Sequence, residues 1–376
     1  MPLMVDENRV PHYFRTTDNG LAVKNFENYN ASESYIRIGL VNNMPDSALH
    51  DTESQFFDLL AEAADDVPIH VSLYAIPEIP RGDRGNRHVA SYYRSIDDLW
   101  DSRVDAIIVT GTEPRYANLR HEPYWNRLTA LFDWAEDNTK SAVLSCLAAH
   151  AGVLHSDGIK RHPLTEKKCG MFEQKLAEPH ALTQRIAGSV RFPHSRWNEV
   201  REEELASHGY SILTKSDEAG VDLFVKKKRR SLFVHFQGHP EYGARTLLKE
   251  YRRDVGRFLR KERHTYPSLP RNYFDAGSSK LLANFQDGAS RNAREMSLAS
   301  FPETTVAASL ERAWQSAAIR IYRNWLEYLV AKKTELMTVH AKREGRAHAA
   351  AQNAPGPVSS KISSANTTRN AGTSRP

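Results

Sequence analysis

Cysteine is scarce in this chain. Two stand in 376 residues, Cys146 and Cys169, too few for a disulfide framework or a thiolate zinc site and consistent with a reducing compartment. Long apolar runs are missing as well. None approaches the roughly 18 residues of a membrane span, and the first residues lack the apolar stretch of a secretory signal, so a cytoplasmic protein with no membrane partner is expected. The 16 histidines are scattered, without the paired spacing on one predicted face that a metal needs, so no metal and no bound cofactor is expected. An acidic surplus is also absent. The net charge is +5, but from Met337 to Pro376 Lys342, Arg343, Arg346, Lys361, Arg369 and Arg375 face only Glu344, so this segment holds the whole surplus. No aromatic or RNP-like pattern accompanies it, which argues against a nucleic-acid partner. Its Ala, Ser, Asn, Gly and Pro content reads as a disordered basic tail over 337–376.

What is present is an ordinary globular composition, 40% hydrophobic and 26% charged. Residues 1–34 are polar and read as an irregular lead-in. Tyr35–Val41 then reads as a buried strand entering the turn Asn42-Asn43-Met44-Pro45, and Phe56, Leu59, Leu60 and Ala63 recur at helical spacing within Thr52–Ala64. Ile69–Ala75 is a second strand, followed by a Pro/Arg/Gly-rich loop to about Arg87. Val104–Thr110 is a third, entering Gly111-Thr112-Glu113-Pro114-Arg115 before a helix around Trp125–Trp134. Alternating strands and helices predict an α/β domain over 35–336 with a doubly wound, mostly parallel sheet flanked by helices. Its carboxyl edge gathers the 42–45 turn, the 111–115 loop and Cys146, and ligands bind at such edges. Past Gly158 the alternation blurs. Strands near Tyr210–Thr214, Val221–Val225 and Leu232–Phe236 precede a helix over about Arg245–Arg260. Residues from about 261 to 303 show no comparable period and read as an insertion, and a last helix covers Ala307–Leu336.

The chemistry gathers at two strand ends. Lys140–Gly152, KSAVLSCLAAHAG, reads as strand, sharp turn and helix with Cys146 at the turn, where a helix N-terminus lowers a thiol pKa and backbone N–H groups can hold an oxyanion. Alone, it is matched by the alternative of a buried structural cysteine. The second strand end, SLFVHFQGHPEYG over Ser231–Gly243, supplies His239 as a base and Glu241 to orient it. The N–H groups of Gly111 and Leu147 are the oxyanion candidates. Cys169 reads as a small buried residue.

A cysteine at a strand-to-helix turn followed by His-Pro-Glu after a later strand resembles the class I glutamine amidotransferase-like superfamily, whose fold is flavodoxin-like and three-layered. Within it, GHPEYGARTLLKEYRRD and LTEKKCGMFE resemble the homoserine O-acyltransferases usually called homoserine O-succinyltransferases. The resemblance runs from about Ile36 to Phe258 and resumes near Ile319–Val330. It implies acylation of L-homoserine from an acyl-CoA by a ping-pong route through acylated Cys146, at the first committed step of methionine biosynthesis. It further implies that Lys167 lies close to the acyl donor, that Lys160–Arg201 builds the acceptor site, and that Ser195, Glu250 and Arg253 hold the amino acid, Arg253 by its α-carboxylate and Glu250 by its ammonium. Two departures stand out: Leu147 where these enzymes commonly carry tryptophan, and Gly-Thr-Glu-Pro-Arg in place of Gly-Ala-Pro. An acidic residue in that loop goes with acetyl preference, so Arg115, of opposite sign, is the candidate partner for a succinyl carboxylate, and succinyl-CoA is expected over acetyl-CoA. Homoserine or serine O-acetylation, glutamine hydrolysis as in an amidotransferase and a non-catalytic binding module stay open, as do monomer and homodimer.

Overall fold

Apolar runs buried on both faces set the architecture. The computed structural model describes residues 3–5, 9, 11, 35–291 and 296–352. The strands Leu3–Val5 (β1), Ile36–Val41 (β2), Ile69–Tyr74 (β3), Ala106–Val109 (β4) and Ser141–Ser145 (β5) are buried almost throughout. That pattern belongs to parallel strands covered by helices on two sides. Next come His162–Leu176 (β6), Ser189–Glu199 (β7), Ser211–Ile212 (β8), Thr214–Ser216 (β9), Gly220–Val221 (β10), Leu223–Lys228 (β11) and Ser231–Phe236 (β12). The main sheet has eight strands in the order β1-β3-β2-β4-β5-β12-β11-β8, parallel from β1 to β12 with antiparallel pairings at β11. Strand order reverses at β2, with β3 on one side and β4 on the other, which opens a ligand crevice at their carboxyl ends.

Side-chain alternation separates the two faces of this sheet. Ile38, Leu40, Ile108 and Val143 pack into one core with the helix Leu49–Ala64 (α1), whereas Val41, Ile107, Val109, Ala142 and Leu144 pack into another. The second core takes in Trp125–Asn138 (α2) and Leu147–Asp157 (α3). The expected three-layer, doubly wound fold is therefore present. A four-stranded antiparallel sheet, β10-β9-β6-β7, follows α3. In its long hairpin Cys169 lies opposite Ser195. Thr246–Leu259 (α4) follows β12, then Ala276–Arg291 (α5) and the long helix Gln315–Gln352 (α6).

Four boundaries differ from the sequence reading. Leu3–Val5 is a strand paired with β3 rather than part of an irregular lead-in, three residues being too few for a periodic signal. The Pro/Arg/Gly-rich loop closes with a helix, Asp83–Tyr92. Residues 261–303 contain α5, whose Leu282, Phe285 and Ala289 pack with Leu248, Tyr251 and Val255 of α4, its period diluted by Gly277, Ser278, Ser279 and Gly288. Finally, α6 runs through Gln352, well past Leu336, over a stretch rich in Ala, Lys, Glu and Arg that favours helix. The rest of the proposed tail, 353–376, lies outside the described residues, as does most of 1–34.

Candidate active site

Strand β5 ends in a turn that a cysteine adopts only under constraint. Cys146 has φ 51° and ψ −109°, a conformation that L-residues keep only where their surroundings enforce it. The constraint is visible: Cys146 N–H donates to the Phe236 carbonyl at 2.7 Å, locking the end of β5 to the end of β12. Helix α3 starts at the next residue, so its first N–H groups and the positive end of its dipole face the thiol. Gly111, at the end of β4, faces the same point. A Cβ there would lie 3.0 Å from the Leu147 nitrogen, so the missing side chain leaves the approach to that N–H open. Both oxyanion candidates thus converge beside Cys146.

His239 and Glu241 follow β12. The His239 Nδ1–H donates to Glu241 Oε1 at 2.8 Å, and Ser145 Oγ donates to the same oxygen at 3.3 Å. The imidazole stacks on Tyr242, with ring centroids 4.1 Å apart, and its backbone N–H donates to the Pro193 carbonyl at 2.8 Å. Burial alone would push the His239 pKa down. The Glu241 carboxylate and then Cys146, by charge and by hydrogen bonding, outweigh it and hold the imidazole well above its ordinary value. Behind it, the buried Asp222 accepts the Gly238 N–H at 2.6 Å. A Cβ on Gly238 would meet His194 Nε2 at 2.8 Å and Asp222 Oδ1 at 2.9 Å, so only glycine fits before His239.

A cleft of about 460 Å³ opens in front of these groups. Its floor is Cys146, Gly111 and His239, and one wall joins the β6–β7 hairpin to α4. On that wall Glu250 accepts from Tyr242 OH at 2.6 Å, from Ser195 Oγ and from Lys167 Nζ at 3.4 Å. Lys167 also donates to Asp254 at 3.2 Å, and Arg253 Nε to Asp254 at 3.1 Å. Burial would raise the Glu250 pKa, but Lys167 and Arg253, with the hydroxyls of Ser195 and Tyr242, bring it below the usual carboxylate value. Lys167, Ser195, Glu250 and Arg253 therefore form one cluster. Cys169 is buried beside this cluster, and burial pushes its thiol up to about 12, keeping it neutral. No metal-ligand cluster occurs among the described residues.

The sequence model of the family described as "Homoserine O-succinyltransferase" matches residues 2–336. The chain belongs to that family. A homoserine O-succinyltransferase from Rhodopseudomonas palustris is 43% identical over 80% of this chain and 90% of its own length, and one from Bradyrhizobium japonicum is 46% identical over 78% and 90%. The homoserine O-succinyltransferase match takes in 261–303, which the sequence reading set outside the resemblance, and it stops where the proposed tail begins. Among solved structures, a glutamine amidotransferase from Thermotoga maritima superposes with a TM-score of 0.45 at 10% identity, over 79% of this chain and 99% of that one.

One residue expected in the cleft from the sequence is not there. Arg115 is exposed and does not line the cleft. Its backbone N–H and that of Tyr116 donate to Glu122 Oε1 at 2.6 and 2.8 Å, and this capped turn directs the side chain to solvent. Tyr242, Asp254 and Arg161 are among the cleft residues that escaped the sequence reading. Tyr242 directly follows His-Pro-Glu, and Asp254, four residues after Glu250, shares its helical face, so adjacency and spacing could have found both. Arg161 had no local signal.

Proposed function

We propose that this chain transfers the succinyl group of succinyl-CoA to the hydroxyl of L-homoserine, at the first committed step of methionine biosynthesis, through a thioester on Cys146. The observation that carries this reading is the convergence of Cys146, the Gly111–Leu147 donors and the His239–Glu241 pair on one cleft. Cys146 gives its proton to His239 and its sulfur attacks the donor carbonyl. The N–H groups of Gly111 and Leu147 hold the oxyanion. As the carbon–sulfur bond to CoA breaks, the proton on His239 passes to the departing sulfur. One thioester has replaced another at little cost. The neutral imidazole then takes the proton of the homoserine hydroxyl, whose oxygen attacks the acyl-cysteine, and collapse of the second intermediate returns Cys146 with the proton on His239.

The wall opposite the thiol supports an amino-acid acceptor. Arg253 suits an α-carboxylate and Glu250 an ammonium, while Ser195 and Lys167 keep Glu250 ionised and fixed in place. Glutamine hydrolysis needs the Cys-His-Glu group alone and leaves this wall without a task. Among the described residues no helix is long and apolar enough to cross a membrane, and both substrates are water-soluble, so we place the reaction in the cytoplasm. The test is mass spectrometry of the protein mixed with succinyl-CoA alone. Succinylated Cys146 and one equivalent of free CoA are expected, with neither in Cys146→Ala; absence of the adduct from an active wild type overturns the acyl-cysteine route.

A further inference from the structure

Six cationic side chains line the cleft: Arg161, Lys167, Arg196, Arg253, Arg257 and Arg263. Five have a carboxylate within 4.0 Å. Lys167 has Glu250 and Asp254, Arg196 has Glu199, Arg253 and Arg263 have Asp254, and Arg257 has Glu113. Among the described residues Arg161 has none. Its Nη2 donates to the carbonyls of Tyr116 and Ala117 at 3.0 and 2.9 Å, which holds the guanidinium in place without neutralising it. Its Nε is buried with no hydrogen-bond partner. Burial pulls its pKa down, and Tyr124, Glu122 and Cys146 work against that pull, so the thiol lies within its electrostatic reach. Glu122 accepts the backbone N–H groups of Arg115 and Tyr116 with Oε1, while its Oε2 is buried without a hydrogen-bond partner and makes no ion pair with Arg161.

An arginine stays charged at any physiological pH, and partial burial without a carboxylate in direct contact is costly. Such a cation beside a nucleophile is completed by an anion that arrives with the substrate. We propose that Arg161 binds the far carboxylate of the succinyl group and so selects succinyl-CoA over donors with an uncharged acyl chain. This role rests on the succinyl-transfer reading above and replaces Arg115 with a residue inside the cleft. The guanidinium offers a charge-assisted hydrogen bond that acetyl cannot use.

The experiment compares kcat/KM for succinyl-CoA and acetyl-CoA in the full chain and in its Arg161→Gln and Arg161→Lys variants. In the wild type succinyl-CoA is preferred. In Arg161→Gln the succinyl-to-acetyl ratio falls by about 10- to 100-fold, the range for one lost charge-assisted hydrogen bond. Arg161→Lys keeps part of the preference. An equal loss for both donors overturns the proposal, because it is the mark of an arginine that only braces the 116–117 loop. A wild type that prefers acetyl-CoA instead refutes the donor assignment itself, a result distinguishable from the first. Should Arg161→Gln fail to fold, inhibition of the wild-type acetyl-CoA reaction by free succinate and by the uncharged butyramide decides. Stronger inhibition by succinate, weakened in Arg161→Lys, supports the role, and equal inhibition removes it.

Discussion

At the scale of single residues, the proposed reaction turns on the proton shared between Cys146 and His239. The imidazole is held above its ordinary pKa against the pull of burial, by Glu241 first and Cys146 second. Acylation removes one of these two influences, since a thioester carries no charge. The proton is therefore bound firmly while the thiol is free and released more readily once the acyl group is on, when His239 must act as a base. Glu241 is the constant partner. Replacing it by Gln in Glu241→Gln removes the larger raising charge, so the His239 pKa falls from its raised value. The alkaline limb of kcat/KM for succinyl-CoA, where loss of the His239 proton ends the reactive pair, then moves to lower pH. The maximal rate falls too, by on the order of 10²–10⁴ as the imidazole loses its orienting group. A pH–rate series on both proteins measures this. An unshifted alkaline limb would assign it to some other group.

At the scale of elements, the position of His239, the proposed base, depends on how the small sheet meets the large one. Asp222 lies between β10 and β11, where its backbone N–H donates to Thr214 and its carbonyl accepts from Gln237. Its carboxylate holds the Gly238 N–H at 2.6 Å. Burial raises its pKa from 3.8 to about 6, with the Gly238 hydrogen bond working the other way. A carboxyl whose folded pKa lies above its unfolded one stabilises the fold below the unfolded value and loses that contribution as pH rises through the folded one. The full-length protein should therefore lose stability between about pH 4 and pH 6 through this group, by ~3 kcal/mol at most for a shift of this size. Asp222→Asn keeps an oxygen for Gly238 and removes the titration. Denaturant midpoints across that window should show a flatter slope in the variant, and an identical slope refutes the assignment. Why Asp222 was invisible in the sequence is instructive. Its partner is sixteen residues away on another strand, whereas Cys146, His239 and Glu241 each sit at or just past the end of an apolar run, where strand and turn chemistry announce them. The parallel strands were legible for the same reason. The β6–β7 hairpin was not, because its first half alternates between exposed and half-buried positions and its two strands contain Pro163 and Pro193. Arg161 follows α3 and reaches the cleft only because the chain doubles back, a tertiary fact with no local pattern.

At the scale of the whole molecule, charge and function are segregated along the chain. Every residue assigned to the reaction lies between Gly111 and Asp254, and the family match ends at residue 336. All of the net +5 lies beyond that point, in 337–376. A segment with so little apolar content gains little from packing, so its removal costs the fold little. It leaves behind, however, a chain whose basic and acidic residues balance, and proteins near zero net charge associate and precipitate more readily. A protein ending at Leu336 should therefore keep kcat/KM for both substrates and the thermal midpoint of the full chain, while its solubility near neutral pH falls. Adding salt should narrow that difference if it arises from charge repulsion between molecules, because screening weakens repulsion in the full chain first. Steady-state kinetics, thermal unfolding and a solubility series in salt on the two proteins measure the three quantities. Loss of most activity on truncation would place part of 337–376 in the working fold, and equal solubility would remove the charge argument for its presence.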